Sequence, residues 1–134
     1  MSLLNSASLS ASLPVTHLPG AHARRFRRGE TTVVELHGEI DLCTAAALSA
    51  ELDTATEPYA PHVLIDLRPV TFIDSSGLDL LHRAHCRARS RDGWVRLVVD
   101  KPRVRQLVRL AAPGLLPLCA TPDDTPATGR AGRG

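Results

Sequence analysis

Apolar and polar positions alternate along this chain in two different periods, and the switches between them mark out the elements. Thr31 to His37 is β-branched and partly alternating, which predicts a strand. Arg28-Gly29 just before it suits a hairpin turn from a short edge segment around Ala23 to Phe26. From Thr44 to about Thr56, Leu48, Leu52 and Ala55 recur at helical spacing among alanines, and Pro58 stops the helix. His62 to Leu67 returns to strand. Its run Val63-Leu64-Ile65 is apolar on both faces, as expected of a central parallel strand covered by helices on both sides. A second helix follows Asp74-Ser75-Ser76-Gly77 and runs to about Ser90, with Leu81, Ala84 and Ala88 along one face and Asp92-Gly93 at its end. Trp94 to Val99 predicts the next strand. Pro102 opens a third helix with the stripe Val104, Leu107, Val108 and Ala111, Pro113-Gly114 breaks it, and Leu115 to Ala120 makes a last short strand. Strands alternating with helices imply right-handed crossovers. The fold class expected is therefore α/β, a small mixed and mostly parallel β-sheet with helices packed on it.

The two ends read differently from this core. Residues 1–22 are rich in Ser and other small residues, and 121–134 hold Pro, Asp, Gly, Ala and Arg with little to bury. The organisation expected is a disordered leader over 1–22, one folded domain over 23–120 and a disordered tail over 121–134. Ala21-His22-Ala23 imitates a signal-cleavage site, but no positive charge precedes the Leu residues and serines interrupt the apolar stretch. The apolar runs are equally short of a membrane span, since Asp79 interrupts Leu78 to Leu81 and Arg96 interrupts Val95 to Val99.

Charge matters here by its distribution. The 134 residues carry a net charge of +2, yet residues 1–28 hold four arginines and no acid. Residues 29–120 hold nine Arg and Lys101 against seven Asp and five Glu, a balance of −2. A mildly acidic domain with 3% aromatic residues lacks both the basic face that displaces counterions from phosphates and the platforms that stack single strands. Nucleic acid is not an expected direct partner. Cys43, Cys86 and Cys119 are too few and too widely spaced for a disulfide framework or a zinc motif, which suits a reducing, cytoplasmic setting and small, at least partly buried thiols.

The stretch richest in chemistry is Val70-Thr71-Phe72-Ile73-Asp74-Ser75-Ser76-Gly77-Leu78, where apolar residues lead directly into a helix start. Two readings are open. In one, Asp74, Ser75 or Ser76 caps the helix, and Ser76 with Asp79 forms the reciprocal capping box. In the other, an exposed hydroxyl at a helix N-terminus accepts a phosphate, which would face unpaired amides and the positive end of the helix dipole. Such a group adds about −1.5 to −2 charge to the surface beside Asp74. Leu36-His37-Gly38-Glu39-Ile40-Asp41-Leu42 is the second informative stretch: Gly38 permits a bulge, Asp41 suits a helix cap, and loops leaving parallel strands gather at one edge, so Asp41 and Ser75 are expected to be neighbours.

Other constellations carry less. His82, His85 and Cys86 sit three and four apart on the second helix, but no second ligand pair completes a tetrahedral metal site, and a solvated helix face is the expectation. No nucleophile elbow, no histidine placed to act as a base for Ser75 or Ser76 and no glycine-rich phosphate loop is present, so neither an enzyme nor a cofactor is expected. Trp94 reads as core or sheet-edge packing.

Leu36-His37-Gly38-Glu39-Ile40-Asp41, then Val63-Leu64-Ile65-Asp66-Leu67, then Phe72-Ile73-Asp74-Ser75-Ser76-Gly77-Leu78 resemble, in this order and spacing, the STAS domain of bacterial anti-sigma factor antagonists. The resemblance extends through residues 29–120. It implies partner switching: the unmodified antagonist binds an anti-sigma factor that is also a serine kinase, freeing the sigma factor, phosphorylation ends that binding, and a serine phosphatase restores it. By position it makes Ser75 the phosphoacceptor, gives Asp74, Ser76 and Gly77 to the switch loop, and gives Asp41 and Leu78 to the partner-binding surface. A STAS scaffold, or an accessory subunit of a lipid-transport or sensory complex without a phosphorylation cycle, is the alternative. A third, weaker reading is a small-ligand or nucleotide-binding domain with an anion site at the second helix start. Asp79 departs from the small residues, often glycine, that are frequent in the family, and Ala111-Ala112-Pro113-Gly114 replaces a more polar segment; these bear on which partner is bound more than on the switch.

Overall fold

A computed structural model describes residues 16–18, 21–111 and 118–119. Its strands are β1 (Thr16–Leu18), β2 (Ala21–Arg28), β3 (Thr31–Ile40), β4 (His62–Asp66), β5 (Val70–Ile73), β6 (Trp94–Val98) and β7 (Leu118–Cys119). Its helices are α1 (Leu42–Ala55), α2 (Ser75–Ser90) and α3 (Pro102–Ala111). The sheet runs β1-β2-β3-β4-β6-β7, with β5 also paired to β3. β1 with β2 and β2 with β3 are antiparallel, and every other pairing is parallel, so the sheet is mixed and mostly parallel as expected.

The β2–β3 hairpin turns at Gly29 with Arg28 opposite Thr31, where the Arg28-Gly29 signal places it. β3 then does two jobs. Its first half pairs with β4 from Thr32 to Glu35, and beyond a register shift between Gly38 and Glu39 it pairs with β5 through Ile40 and Ile73. Gly38 has φ +90°, a conformation that an L side chain rarely adopts, which lets one strand serve two parallel partners in succession.

Side-chain alternation shows where the helices lie. Val34, Leu36, Val63, Ile65, Val95 and Leu97 join one core with Leu48 and Leu52 of α1, Leu81 and Ala84 of α2, and Val104 and Val108 of α3. The alternate positions Val33, Leu64 and Val98 form a separate small cluster with Phe26 and no helix residue. Among the described residues, then, the helices cover one face only. The apolar run in β4 is buried on its second face by a neighbouring strand side chain rather than by the expected second helix layer.

Two strands go beyond the sequence reading. β5 was expected only as an apolar lead into the loop, its four residues being too short to show a period. β1 and the first two residues of β2 lie in the stretch assigned to the leader, so the sheet begins before residue 23. The remainder of the leader, the Ala112-Pro113-Gly114 break, Leu115-Leu116 and the 121–134 tail lie outside the described residues. No helix among the described residues is long and apolar enough to cross a membrane.

Candidate functional site

Ile40 and Ile73 are register partners at the ends of β3 and β5, and the residue after each caps a helix. Asp41 caps α1 and Asp74 caps α2, while the Asp74 N–H donates to the Ile40 carbonyl at 3.1 Å. Two helix N-termini therefore start side by side at one edge of the sheet, as expected for Asp41 and Ser75.

The caps differ in chemistry. Asp41 Oδ1 accepts from Cys43 N (2.9 Å) and Thr44 N (3.2 Å), and the buried Thr44 hydroxyl accepts from Asp41 N (3.0 Å) while donating to the Glu39 carbonyl (3.0 Å). This is a reciprocal capping box. Asp74 Oδ1 accepts from Ser76 N (2.9 Å) and Gly77 N (3.3 Å), with no side chain returning the bond. The expected Ser76–Asp79 box does not form, because the helix begins at Ser75 and Asp74 already holds the cap position.

Gly77 occupies the place in α2 that Thr44 occupies in α1. A Cβ there would stand 2.6 Å from Ile73 Cγ1, 2.8 Å from Ile40 Cγ2 and 3.1 Å from the Ile40 carbonyl, so only glycine lets the helix start rest on the two strand ends. Ser75, the first helical residue, is exposed, and among the described residues its hydroxyl has no hydrogen-bond partner in the chain. Ser76 is half-buried, and Leu78 is half-buried with part of its surface packed on the core.

Beside these serines runs a groove of about 200 Å³ lined by Ala45, Ala46 and Ser49 of α1 and Ser76, Asp79, Leu80 and Arg83 of α2. Arg83 also reaches across to Asp53 through two bonds (Nη2–Oδ2 2.9 Å, Nε–Oδ1 3.3 Å), tying the two helices. Sequence reasoning assigned no role to Ala45, Ala46, Ser49 or Arg83. The three small residues on one side of α1 were the available signal.

Three further residues differ from expectation. Cys43 and Cys86 are exposed rather than buried. His85 does not lie on a solvated face: it is 8% exposed with Nδ1 buried and unpartnered, and burial, with help from Arg89 and His82, pushes its pKa below the ordinary histidine value. His82 lies 3.8 Å from Cys86 Sγ, but among the described residues no group of three or more His, Cys, Asp or Glu side chains is arranged to hold a metal. Trp94 is half-buried between the stacked His62 ring (5.0 Å) and the Arg96 guanidinium (4.4 Å), a packing role as expected.

This architecture, a mixed sheet helix-covered on one face with two capped helix starts at one edge, is that of a STAS domain. The chain belongs to the STAS family: the family model described as "Mlab, STAS domain" matches residues 11–114. Among solved structures it is similar to an anti-sigma factor antagonist from Mycobacterium paratuberculosis, at 27% identity and TM-score 0.72, covering 81% of this chain and 93% of that one. It shares its fold with the phosphorylated form of the Bacillus cell fate determinant SpoIIAA (23% identity, TM-score 0.61, 76% and 94% of the two chains). It shares it also with part of the murine Solute Carrier 26 family member A9 anion transporter (13%, TM-score 0.54, 60% of this chain and 14% of that one).

Proposed function

We propose that this protein is an anti-sigma factor antagonist: a non-enzymatic, cytoplasmic binding domain that captures a kinase-type anti-sigma factor, frees its sigma factor, and is switched off by phosphorylation of Ser75. The observation that carries the reading is the Ser75 hydroxyl, exposed and unpartnered at the first residue of α2, beside the groove between α1 and α2. Likeness to the Mycobacterium antagonist supports the docking role, and the phosphorylated SpoIIAA supports the covalent switch.

The geometry refines how the switch works. Ser76 N and Gly77 N already donate to Asp74 Oδ1, so a phosphate on Ser75 meets occupied amides and a like charge rather than an empty anion site. The doubly charged group either displaces the Asp74 cap or turns outward into the docking surface, and both outcomes oppose the partner. In a closed interface that charge loses its hydration, and only an arginine cluster opposite would offset the cost. Asp41, Leu78 and the groove residues form the docking surface in this reading, with Asp79 giving it acidic character and a serine phosphatase resetting it.

The test is phosphopeptide mapping over residues 69–83 of protein from its native cell, with a Ser75→Ala strain as control. Phosphate on Ser75 that vanishes in the variant, together with a Ser75→Ala protein that stays bound to its kinase in the presence of ATP, is the expected result. An unmodified loop and a partner indifferent to Ser75→Asp favour the second reading, a STAS scaffold or accessory subunit of a transport or sensory complex, to which the fold shared with the anion transporter lends support.

A further inference from the structure

A cavity of about 230 Å³ opens at the end of the sheet away from the helix starts, and the antagonist reading does not use it. One wall is the β2–β3 hairpin, through Arg27, Glu30 and Thr32, and the other is the connection from α1 to β4, through Ala55, Pro58 and Pro61. Thr32 lies at one end of β3 and Ile40 at the other, so roughly 25 Å of strand separates the cavity from the paired helix starts.

The second wall is held in shape from behind. Ala60 has φ +53°, the left-handed region that a residue other than glycine seldom adopts. Its N–H donates to the Arg91 carbonyl at 2.7 Å, and the Pro61 carbonyl next to it accepts from Trp94 N at 2.8 Å. The Tyr59 hydroxyl donates to Asp92 Oδ2 at 2.6 Å and draws the loop onto the α2–β6 turn. At Gly93 a Cβ would collide with the Pro61 carbonyl, so the two loops meet backbone against backbone. A strained wall fixed this firmly by its surroundings is formed before any ligand arrives, which lowers the ordering cost of binding.

The charges on the rim select the ligand. Arg27 and Glu30 are opposite in charge and line the same cavity, yet they form no ion pair with each other. Arg27 instead makes two long bonds, Nη1 to Thr32 Oγ1 (3.4 Å) and Nη2 to the Gly29 carbonyl (3.3 Å), which steady the guanidinium and leave donors to spare. Glu30 has no partner among the described residues. Ala55 ends α1, whose last turn carries no basic side chain, so the negative end of the helix dipole also favours a cation in this cavity. The His62 ring, stacked on Trp94 at 5.0 Å, lines the cavity with nitrogens that make no hydrogen bond among the described residues. A simple anion or a simple amine meets one favourable and one repulsive charge here, whereas a molecule carrying both charges meets two favourable ones. Sites for drug-sized ligands run roughly 300–1,000 Å³, so this cavity suits a smaller molecule.

We propose that the cavity binds a small zwitterion, an α-amino acid with a short side chain. Arg27 holds its carboxylate, Glu30 its ammonium, Pro58 and Pro61 its side chain, and His62 offers one further hydrogen bond. The site shares no residue with the groove beside Ser75, so it stands or falls apart from the phosphorylation switch.

The experiment is an NMR titration of the full chain with glycine, L-alanine and L-serine in turn. At least one of them should shift the Glu30, Thr32 and Ala60 amides and the His62 ring to saturation, with the Ser75 and Ser76 amides unmoved. Ethylamine and propanoate, each carrying one of the two charges of alanine, should bind at least about ten-fold more weakly than the best amino acid. Arg27→Gln and Glu30→Gln should each weaken that binding by about ten-fold or more, and both side chains are exposed, so the fold does not depend on them. The proposal is overturned if none of the three amino acids shifts these signals, or if propanoate or ethylamine binds as well as they do. Binding that both variants leave intact, or shifts gathered at Ser75 instead of the cavity, overturns it equally.

Discussion

The starts of α1 and α2 are near copies in backbone plan and opposites in chemistry. Each follows a strand-end isoleucine, each is capped by aspartate, and each cap accepts from the second and third amides of its helix. Where α1 has Leu42, Cys43 and Thr44, α2 has Ser75, Ser76 and Gly77. In α1 a buried threonine closes a reciprocal hydrogen-bonded lock. In α2 glycine replaces that lock with direct contact on the two strand ends, and the first residue keeps a free hydroxyl. The comparison teaches that a helix start can be held by its own side-chain bonds or by what it rests on, and that only the second leaves hydroxyl chemistry at the surface.

The comparison breaks most severely if charge at the first position of α2 proves harmless. Ser75→Asp places an uncompensated carboxylate in the proposed interface, where a charge left buried and unpaired costs about 2–5 kcal/mol. Capture of the proposed anti-sigma kinase should weaken by about thirty-fold or more by surface plasmon resonance, while the unfolding midpoint moves little, because an acid near a helix N-terminus is tolerated. Leu42→Asp, at the matching position of α1, calibrates the result. Equal losses from both variants would mean that Ser75 is not singled out within the docking surface.

Next in size is Gly77→Ala. Its Cβ would meet Ile73 and Ile40 well inside contact distance, and the nearest groups sit at strand ends that cannot withdraw freely. Overpacking of this kind costs about 1–3 kcal/mol, read as a lower urea midpoint at unchanged slope. Thr44→Gly, the reverse exchange in α1, should also destabilise, but through lost hydrogen bonds and lost burial. A stabilised Gly77→Ala protein would show that α2 is not seated on the strand ends.

A third pair of variants sharpens the contrast between the caps themselves. Asp41→Ala and Asp74→Ala each remove two amide acceptors, a loss of about 1 kcal/mol. Asp74→Ala should cost the more, since after Asp41→Ala the Thr44 hydroxyl keeps its bonds to the residue-41 N–H and the Glu39 carbonyl and Thr44 N keeps the residue-41 carbonyl, while nothing comparable backs up the Asp74 side chain. Equilibrium unfolding of the two proteins gives the ranking directly, and Asp41→Ala proving the costlier would mean that the α1 cap is the stronger.

The sequence made the elements legible wherever the period was long enough to read. α1, α2 and α3 and strands β3, β4 and β6 begin or end within a few residues of expectation, because Leu48, Leu52, Ala84 and Val104 repeat at helical spacing and Pro58 and Asp92-Gly93 stop it. The neighbourhood of Asp41 and Ser75 was legible too, since loops leaving parallel strands gather at one edge. What stayed hidden depends on partners distant in sequence. β5 is four residues long, and its strand character comes from the unpaired second half of β3. One-sided helix packing was invisible because Val63-Leu64-Ile65 reads alike whether Leu64 meets a helix or Phe26. His22 looked like leader until strand pairing set it beside His37.

The smallest effect contrasts the groove-lining face of α2 with its buried face. His85, three residues after His82 on the same helix, is buried with its pKa held below the ordinary value, chiefly by burial and then by Arg89 and His82. The unfolded chain takes up a proton near pH 6.5 that folded His85 refuses, so the unfolded state binds more protons there. Stability is therefore whole above the unfolded histidine pKa and declines as pH falls below it toward the depressed folded value. Urea midpoints measured downward from pH 8 should fall through this window in the wild type, and a His85→Gln protein should show a shallower decline. If His85→Gln leaves the decline as steep as in the wild type, the buried side of α2 is not what senses the proton.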